Sequence, residues 1–281
     1  MKLLRVGPAG QERPVVMDAA GILRDTGEVE FDGAFLASGG VARVRDALER
    51  GALPLVEADG LRVGAPIARP GKVVCIGLNY SDHAEETGAT PPTEPVVFMK
   101  AANTVIGPDD QVLVPRDSVK TDWEVELAVV IGETCRYVET HEEALSKVAG
   151  YAISNDVSER EFQLERGGQW DKGKSCETFN PLGPWLVTAD EIADPQSLGM
   201  RLWVDGELRQ NGNSKNMIFG VAEIIRYLSR FMVLEPGDVI NTGTPAGVAM
   251  GLPGQPYLRA GAVMELEIDG LGRQRQTVGQ A

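Results

Sequence analysis

Apolar residues in this chain fall mostly in short runs or alternating segments that are typical of β-strands. The alternation is clearest in residues 121–131, where Trp123, Val125, Leu127, Val129 and Ile131 fall on one face. Shorter strands are predicted at 72–76, 96–99, 111–114, 148–154, 202–204, 239–240 and 262–268, and helices at 41–50 and 221–231. Because strands outnumber helices and do not alternate regularly with them, we predict an α+β fold with a dominant mixed β core. A doubly wound α/β fold is the alternative.

A domain boundary is predicted near residue 70, where Pro66 and the turn Arg69-Pro70-Gly71 interrupt the pattern. This divides the chain into a small N-terminal domain, residues 1–70, and a larger domain, residues 71–281. At about 150 residues per domain, the 281 residues suffice for two domains or one large one.

Composition narrows the possible partners. The chain carries 27 basic and 41 acidic side chains, a net charge of −14, which disfavours non-specific binding to nucleic acid or anionic membranes. The longest uncharged stretch, residues 239–258, contains three prolines and four glycines and is typical of loops. Three scattered cysteines without CxxC spacing fit a reducing compartment. We therefore expect a soluble, cytoplasmic protein.

Two carboxylates lie two residues apart in the longest predicted strand. Glu124 and Glu126 would project from the same face, and inward-pointing acids require a neutralising cation. Asp156, at the end of the strand predicted at 148–154, would supply a third oxygen. Such hard ligands suit Mg²⁺, Mn²⁺ or Ca²⁺. The alternatives are a solvent-exposed polar face for the glutamates and turn or helix-entry chemistry for Asp156, since Ser158 and Glu161 have capping-box spacing.

A second candidate centre is a short predicted helix that Gly88 ends. It carries His83 and Glu86, which are three residues apart and so adjacent on one helical face. A carboxylate that holds an imidazole makes it a better general base for activating water. The alternative is a surface ion pair. The other histidine, His141, lies in a charged run and is expected to be solvated.

Two further segments have anion-binding chemistry. Residues 172–175 (KGKS) form a predicted cationic loop that would face a carboxylate or a developing enolate. Residues 241–247 (NTGTPAG) expose backbone amides and hydroxyls after a strand. Both segments also have ordinary loop interpretations. Residues 168–175 fit the GxxxxGK[ST] pattern by chance, because no buried strand precedes them.

Taken in order, six segments resemble motifs of the fumarylacetoacetate hydrolase family. They are GLNYSDHAEE, PVVFMK, DWEVELAVVIG, GYAISNDVSEREFQ, KGKSCETFNPLGP and NTGTPAGV, and they run from about residue 71 to the C-terminus. The resemblance implies a mixed β-roll with short helices and a small N-terminal domain. It also implies a homodimer and a divalent cation, usually Mg²⁺, with Mn²⁺ or Ca²⁺ as alternatives.

The same resemblance implies roles for individual residues. Three carboxylates match the metal positions of the family: Glu124, Glu126 and Asp156. Three residues match catalytic positions: His83 and Glu86 on a lid helix that orders with substrate, and Lys174 near the substrate oxygens. Four match positions for substrate contact: Lys100, Arg160, Gln163 and Thr244. Two positions depart from the family pattern: Ala101 replaces a frequent proline, and Glu177 replaces a frequent aspartate.

Residues 162–187 resemble the branch of the family that acts on 2,4-diketo acids derived from deoxy sugars. This implies a hydrolase acting on carbon–carbon bonds in ketonic substances. It would cleave 2,4-diketo-3-deoxy-L-rhamnonate to pyruvate and L-lactate in carbohydrate catabolism. The hydroxylated tail of that substrate would face Arg166, Gln169, Trp170 and Lys172. Oxaloacetate decarboxylation, ureidoglycolate lyase-type activity and non-catalytic binding of a 2-oxo acid are the alternatives.

Overall fold

The computed structural model describes residues 1–57, 60–88 and 90–281, with Thr87 described by its backbone alone. Strands dominate these residues. The strands are β1 Lys2–Val6, β2 Arg13–Met17, β3 Leu23–Asp25, β4 Val63–Gly64, β5 Val73–Gly77, β6 Val96–Lys100, β7 Val105–Ile106, β8 Val112–Val114, β9 Thr121–Asp122, β10 Val125–Ile131, β11 Val148–Asn155, β12 Ser158–Glu159, β13 Asn180–Thr188, β14 Gly199–Val204, β15 Glu207–Asn213, β16 Val239–Asn241, β17 Val263–Ile268 and β18 Gly272–Gln280.

The helices are short, as predicted for this fold class. They are α1 Gly33–Ala37, α2 Gly40–Glu49, α3 Ser81–Thr87, α4 His141–Ser146, α5 Arg160–Leu164, α6 Asp171–Lys174 and α7 Val221–Leu228, with single 3₁₀ turns at Ala102–Thr104, Ala189–Glu191, Ser214–Asn216 and Ala249–Gly251. The two helices predicted from periodicity correspond to α2 and α7. No helix in the described part of the chain is both long and apolar enough to cross a bilayer.

A large mixed sheet runs through the middle of the molecule. Its strand order is β3-β2-β1-β13-β11-β10-β16-β5-β6, and a second sheet has the order β15-β14-β17-β18-β8. The β16–β5 pair is parallel, whereas β10 is antiparallel to both of its neighbours. The predicted α+β fold with a mixed β core is confirmed.

The main core lies between the two sheets and explains the apolar alternation of β10. Leu127 and Val129 pack in the same cluster as Leu202 of β14 and Leu266 of β17. The intervening residues of β10, Ala128 and Val130, pack in a second cluster on the opposite face. Because both faces are covered, every residue of β10 is buried.

The single strand predicted over residues 121–131 is wrong in its continuity. It is split into β9 and β10, because the backbone at Trp123 and Glu124 bonds outside the ladder. The Trp123 amide donates to Asp122 Oδ1 at 2.8 Å, and the Glu124 amide donates to Asn155 Oδ1 at 3.1 Å. The interruption turns the Glu124 side chain into the interior, beside β11.

The first strands join the large sheet directly, since β1 pairs with β13 through Lys2↔Val187 and Leu3↔Leu186. The N-terminal residues therefore extend the sheet that carries β10 and β11. A domain boundary at residue 70 stays a prediction.

Candidate active site

Three acidic side chains meet where β10 begins and β11 ends. These strands are antiparallel, with Glu126 opposite Ser154, so the residue that precedes β10 lies near the residue that follows β11. Glu124 precedes β10, Glu126 lies within it, and Asp156 follows β11. One carboxylate oxygen from each residue lies within 4.8 Å of the other two. The structure thus brings together the three acids that the sequence singled out.

These acids are buried rather than solvated. Glu124 is 5% exposed, Glu126 2% and Asp156 0%, so the alternative of a solvent-exposed polar face is wrong. Ser158 is not the helix cap that the capping-box spacing suggested. The N-cap of α5 is Glu159, whose side chain accepts from the Glu161 amide, and the Ser158 hydroxyl donates to the Asp156 carbonyl at 3.0 Å.

Buried cations surround the acidic cluster. Lys174 Nζ lies 2.7 Å from Glu124 Oε2 and 2.8 Å from Asp156 Oδ2. Arg160 bridges Glu124 and Asp122, with nitrogen–oxygen distances of 2.7 Å and 2.8 Å. The prediction that Lys174 lies in a loop is wrong. Lys174 is the last residue of the short helix α6 and is 2% exposed. Its burial places the ammonium group directly against two of the three acids.

The balance of charge differs between the two glutamates. Burial opposes ionisation of Glu124, but the positive charges of Lys174 and Arg160 outweigh it and lower the pKa of this carboxyl to about 2. At Glu126, burial together with the negative charges of Asp156 and Glu124 raises the pKa well above its usual range. Glu126 accepts a hydrogen bond from the Gly243 amide at 2.8 Å. An added cation would therefore be most stabilising next to Glu126.

Asp122 belongs to the site, although the sequence analysis assigned it no role. Its carboxylate accepts from the Ala249 amide at 2.7 Å and the Met250 amide at 3.0 Å, besides the bond from Arg160 Nε. These contacts join β9 to the loop after β16. Asp122 stands directly before the Trp-Glu-Val-Glu run, and its position there was the only sequence signal for it.

His83 and Glu86 lie on helix α3, which faces the acidic cluster. His83 is 6% exposed, and its Nδ1 lies 3.4 Å from Glu86 Oε2. The Gly247 amide donates to Glu86 Oε1 at 2.9 Å and to Oε2 at 3.1 Å. The Gly247 carbonyl accepts from Trp123 Nε1 at 3.0 Å. The alternative of a surface ion pair is thus wrong for this pair, whereas His141 is 63% exposed, as expected.

A cavity of about 220 Å³ adjoins the cluster and collects most of the predicted residues. Its polar lining comprises His83, Glu124, Glu126, Arg160, Gln163, Lys174 and Thr244. Its apolar lining comprises Ile76, Leu78, Phe98, Leu164, Trp170 and Met250. The rings of Phe98 and Trp170 stack edge to face with centroids 5.4 Å apart. The cavity therefore offers charge next to an extended apolar surface.

Three of the four predicted substrate-contact residues line this cavity, namely Arg160, Gln163 and Thr244. Gln163 accepts from Arg160 at 3.1 Å, and the Thr244 hydroxyl accepts from Gln210 at 2.8 Å. Lys100 is not among the described lining residues. Its ammonium group binds Asp156 Oδ1 and donates to the Val157 carbonyl at 3.1 Å. It therefore lies against Asp156 and away from the cavity wall.

Of the residues proposed to hold a hydroxylated tail, Trp170 lines the cavity. Arg166 instead pairs with Glu161 at 2.7 Å, and Lys172 donates to the Arg166 carbonyl at 2.7 Å. Both side chains are outside the described lining.

A sequence model described as fumarylacetoacetate (FAA) hydrolase C-terminal matches residues 72–279. The chain belongs to the fumarylacetoacetate hydrolase family. A Burkholderia multivorans protein named "Putative hydrolase" is 55% identical over 279 residues, which are 98% of each chain. A fumarylacetoacetate hydrolase from Exiguobacterium antarcticum is 36% identical, with TM-score 0.88 and complete coverage of both chains.

A third relative bears on the metal. Maleylpyruvate hydrolase from Sphingobium sp. SYK-6, solved in complex with manganese(II) and pyruvate, is 28% identical with TM-score 0.80 and complete coverage of both chains. Solved neighbours of this chain include isomerases as well as hydrolases. The family is thus one of enzymes, and the protein is similar to members that act on acylpyruvate-type compounds.

The donor set of this protein fits a divalent cation. Three buried carboxylates present hard oxygen ligands within 4.8 Å of one another, and such ligands suit Mg²⁺, Mn²⁺ and Ca²⁺. The raised pKa of Glu126 is the electrostatic sign of a site that accepts further positive charge. Lys174 would have to give up at least one carboxylate oxygen to such a cation.

Proposed function

We propose that this protein is a metal-dependent hydrolase that cleaves the carbon–carbon bond between C3 and C4 of a 2,4-diketo acid. The observation that carries the proposal is one cavity lined by both His83 and the buried Glu124–Glu126 pair. A general base beside a cluster of metal-type ligands is what hydrolysis of an acylpyruvate requires. The manganese and pyruvate in the maleylpyruvate hydrolase structure support the same chemistry.

The proposed metal ligands are Glu124, Glu126 and Asp156. A bound Mg²⁺, or alternatively Mn²⁺ or Ca²⁺, would act there as a Lewis acid toward the 2-oxo-acid end of the substrate. The carboxylates, with Lys100 and Arg160 against them, keep this end of the cavity rigid. Gln163 and Thr244 contribute polar atoms that orient the substrate.

The proposed reaction follows from the positions of the side chains. His83, polarised by Glu86, takes a proton from water, and the water oxygen adds to C4. The C3–C4 bond then breaks, and its electron pair stays on C3 as the enolate of pyruvate, while C4 becomes the carboxyl carbon of the second acid. The proton that His83 took from water then passes to C3 and gives pyruvate. Lys174 holds an ammonium group where this negative charge develops, so it stabilises the transition state more than the ground state.

The cavity supports a short, uncharged acyl group. Of its cationic lining residues, Arg160 already contacts Asp122 and Glu124, and Lys174 is the proposed partner of the enolate, so the described lining holds no further lysine or arginine for a second substrate carboxylate. The lactoyl group of 2,4-diketo-3-deoxy-L-rhamnonate carries one hydroxyl and one methyl group, and the methyl suits the apolar wall. We therefore propose this compound as substrate, with pyruvate and L-lactate as products.

A product-resolved assay tests the proposal. Purified protein is incubated with 2,4-diketo-3-deoxy-L-rhamnonate, maleylpyruvate, oxaloacetate and ureidoglycolate, each with Mg²⁺, Mn²⁺ or a chelator. We expect equal amounts of pyruvate and L-lactate from the first compound, only with metal. Pyruvate and carbon dioxide from oxaloacetate, without turnover of the other compounds, would establish the decarboxylase alternative, and glyoxylate from ureidoglycolate the lyase alternative. Tight binding without turnover of any compound would establish the non-catalytic alternative.

The homodimer of the family forms part of the proposal. Sedimentation of the purified chain, with and without metal, measures its mass directly. A monomer that retains full turnover would refute this part alone.

A further inference from the structure

The carboxylate of Glu86 sits in a close-fitting niche between two glycines. On one side, the Gly247 amide donates to both of its oxygens, at 2.9 Å and 3.1 Å. On the other side lies Gly251, the last residue of the 3₁₀ turn Ala249–Gly251. A Cβ atom on Gly251 would lie 2.6 Å from both Cδ and Oε2 of Glu86. The niche exists only because Gly251 has no side chain.

We propose that Gly251 is a positioning residue that seats the Glu86 carboxylate on the Gly247 amide and next to His83. This inference rests on the proposed function, in which Glu86 polarises His83. A methyl group at position 251 would displace the Glu86 carboxylate, while Glu86 itself and the rest of helix α3 stay unchanged in sequence. The imidazole then loses its contact with the Glu86 carboxylate, which orients the ring.

The local geometry separates this role from a structural one. Gly251 has no left-handed backbone angle, and the nearest atoms to its hypothetical Cβ all belong to the end of the Glu86 side chain. Alanine at this position therefore moves a flexible carboxylate and imposes no backbone strain. At Gly247, by contrast, φ is +106° and a Cβ would lie 1.9 Å from the Arg209 carbonyl oxygen. A substitution there would disturb the backbone itself.

Gly279 of β18 provides a matched control. Its Cβ would lie 2.7 Å from Cδ and Oε1 of Gln111, again at the end of a flexible side chain and without a left-handed angle. Gly279 and Gln111 do not line the cavity. The Gly279→Ala variant therefore introduces a clash of the same kind, with the end of a flexible side chain, away from the cavity.

The experiment compares Gly251→Ala, Glu86→Asp, the double variant and Gly279→Ala. We expect Gly251→Ala to lower kcat about 10- to 100-fold, with KM and Mn²⁺ affinity close to those of the unmodified protein. In the Glu86→Asp background, where the carboxylate is drawn back from position 251, the same substitution should have little further effect. This non-additivity is the signature of two residues that act through one contact. Gly279→Ala should retain the kcat of the unmodified protein.

A second measurement does not depend on turnover. Hydrogen exchange at the Gly247 amide should accelerate in Gly251→Ala and stay unchanged in Gly279→Ala, since only the first variant removes its acceptor. Unchanged exchange together with unchanged kcat in Gly251→Ala, or strictly additive losses in the double variant, would overturn the inference. If the unmodified protein hydrolyses no diketo acid, the proposed function fails, and the exchange arm still decides whether Gly251 seats Glu86.

Discussion

Replacing Lys174 with methionine removes a buried positive charge while keeping a side chain of similar length. In the folded protein Lys174 Nζ lies 2.7 Å from Glu124 and 2.8 Å from Asp156. The variant therefore leaves two buried carboxylates short of one cation. Each keeps another partner, because Arg160 still contacts Glu124 and Lys100 still contacts Asp156.

The size of the effect follows from these contacts. Removing one partner of a buried ion pair costs about 3–5 kcal/mol, and the remaining partners favour the lower end of this range. For a chain of this size, ~3 kcal/mol lowers Tm by roughly 5 °C in metal-free buffer. A divalent cation replaces the missing charge, so the variant should gain more in Tm from Mn²⁺ than the unmodified protein gains. Turnover should nevertheless fall about 10²–10³-fold, because the enolate loses a stabilising cation.

Thermal melts with a chelator and with saturating Mn²⁺, followed by a pyruvate assay, measure each effect. Lys172→Met is the matched control, since Lys172 lies on the same helix but is exposed. Surface charges of this kind contribute about 0–1 kcal/mol, so its Tm and turnover should hardly change. The reasoning is refuted if metal-free Lys174→Met melts within about 1 °C of the unmodified protein, or if Mn²⁺ stabilises both proteins equally.

Three further predictions concern the same cavity. His83→Ala should lower kcat about 10²–10⁴-fold with unchanged Mn²⁺ affinity, as measured by steady-state kinetics and calorimetry. Burial and the charges of Asp156 and Glu124 raise the pKa of Glu126. Above pH 4.5, the usual pKa of a glutamate, the folded state therefore keeps a proton on Glu126 that the unfolded state has released. The metal-free protein should therefore lose stability as pH rises above that value, and Glu126→Gln should abolish this loss in denaturant titrations. Trp170→Ala removes part of the apolar wall and should raise kcat/KM for longer apolar acylpyruvates relative to short ones in a substrate panel.

Each of these predictions has an outcome that contradicts it. Normal turnover in His83→Ala would eliminate the proposed base. A Glu126→Gln protein with the same pH dependence of stability as the unmodified chain would show that the proton resides elsewhere. Unaltered acyl preference after Trp170→Ala would mean that this residue does not contact the acyl group.

The acidic part of the candidate site could be predicted from the sequence, because its pattern lies in residues that are close together along the chain. The two-residue spacing of Glu124 and Glu126 predicts a shared face, and Asp156 directly follows β11, the strand that pairs with β10. The cations were harder to locate. Lys174 and Lys100 reach the cluster from α6 and β6, and no spacing along the chain reports contacts between such distant segments.

Several strands were missed, among them the two longest, β13 and β18. β13 contains Pro181 and Pro184, and prolines are typical of turns, so its apolar residues carried no clear strand signal. β18 alternates polar residues, and its buried Gln274 donates to the carbonyls of Ile153 and Gly183 at 2.8 Å and 3.0 Å. Because such buried residues are polar, the composition of β18 cannot be told from that of a strand on the surface.

The backbone amide and carbonyl of Gly247 contact two different parts of the site. Its amide binds Glu86 on α3, and its carbonyl accepts from the indole of Trp123, the residue directly before Glu124. Any departure of α3 thus alters the environment of a fully buried tryptophan at the start of the acidic cluster. Trp123 is therefore an internal optical probe. The chain has four tryptophans, so the difference in stopped-flow emission between the unmodified protein and Trp123→Phe can time the arrival and release of ligands without an attached dye.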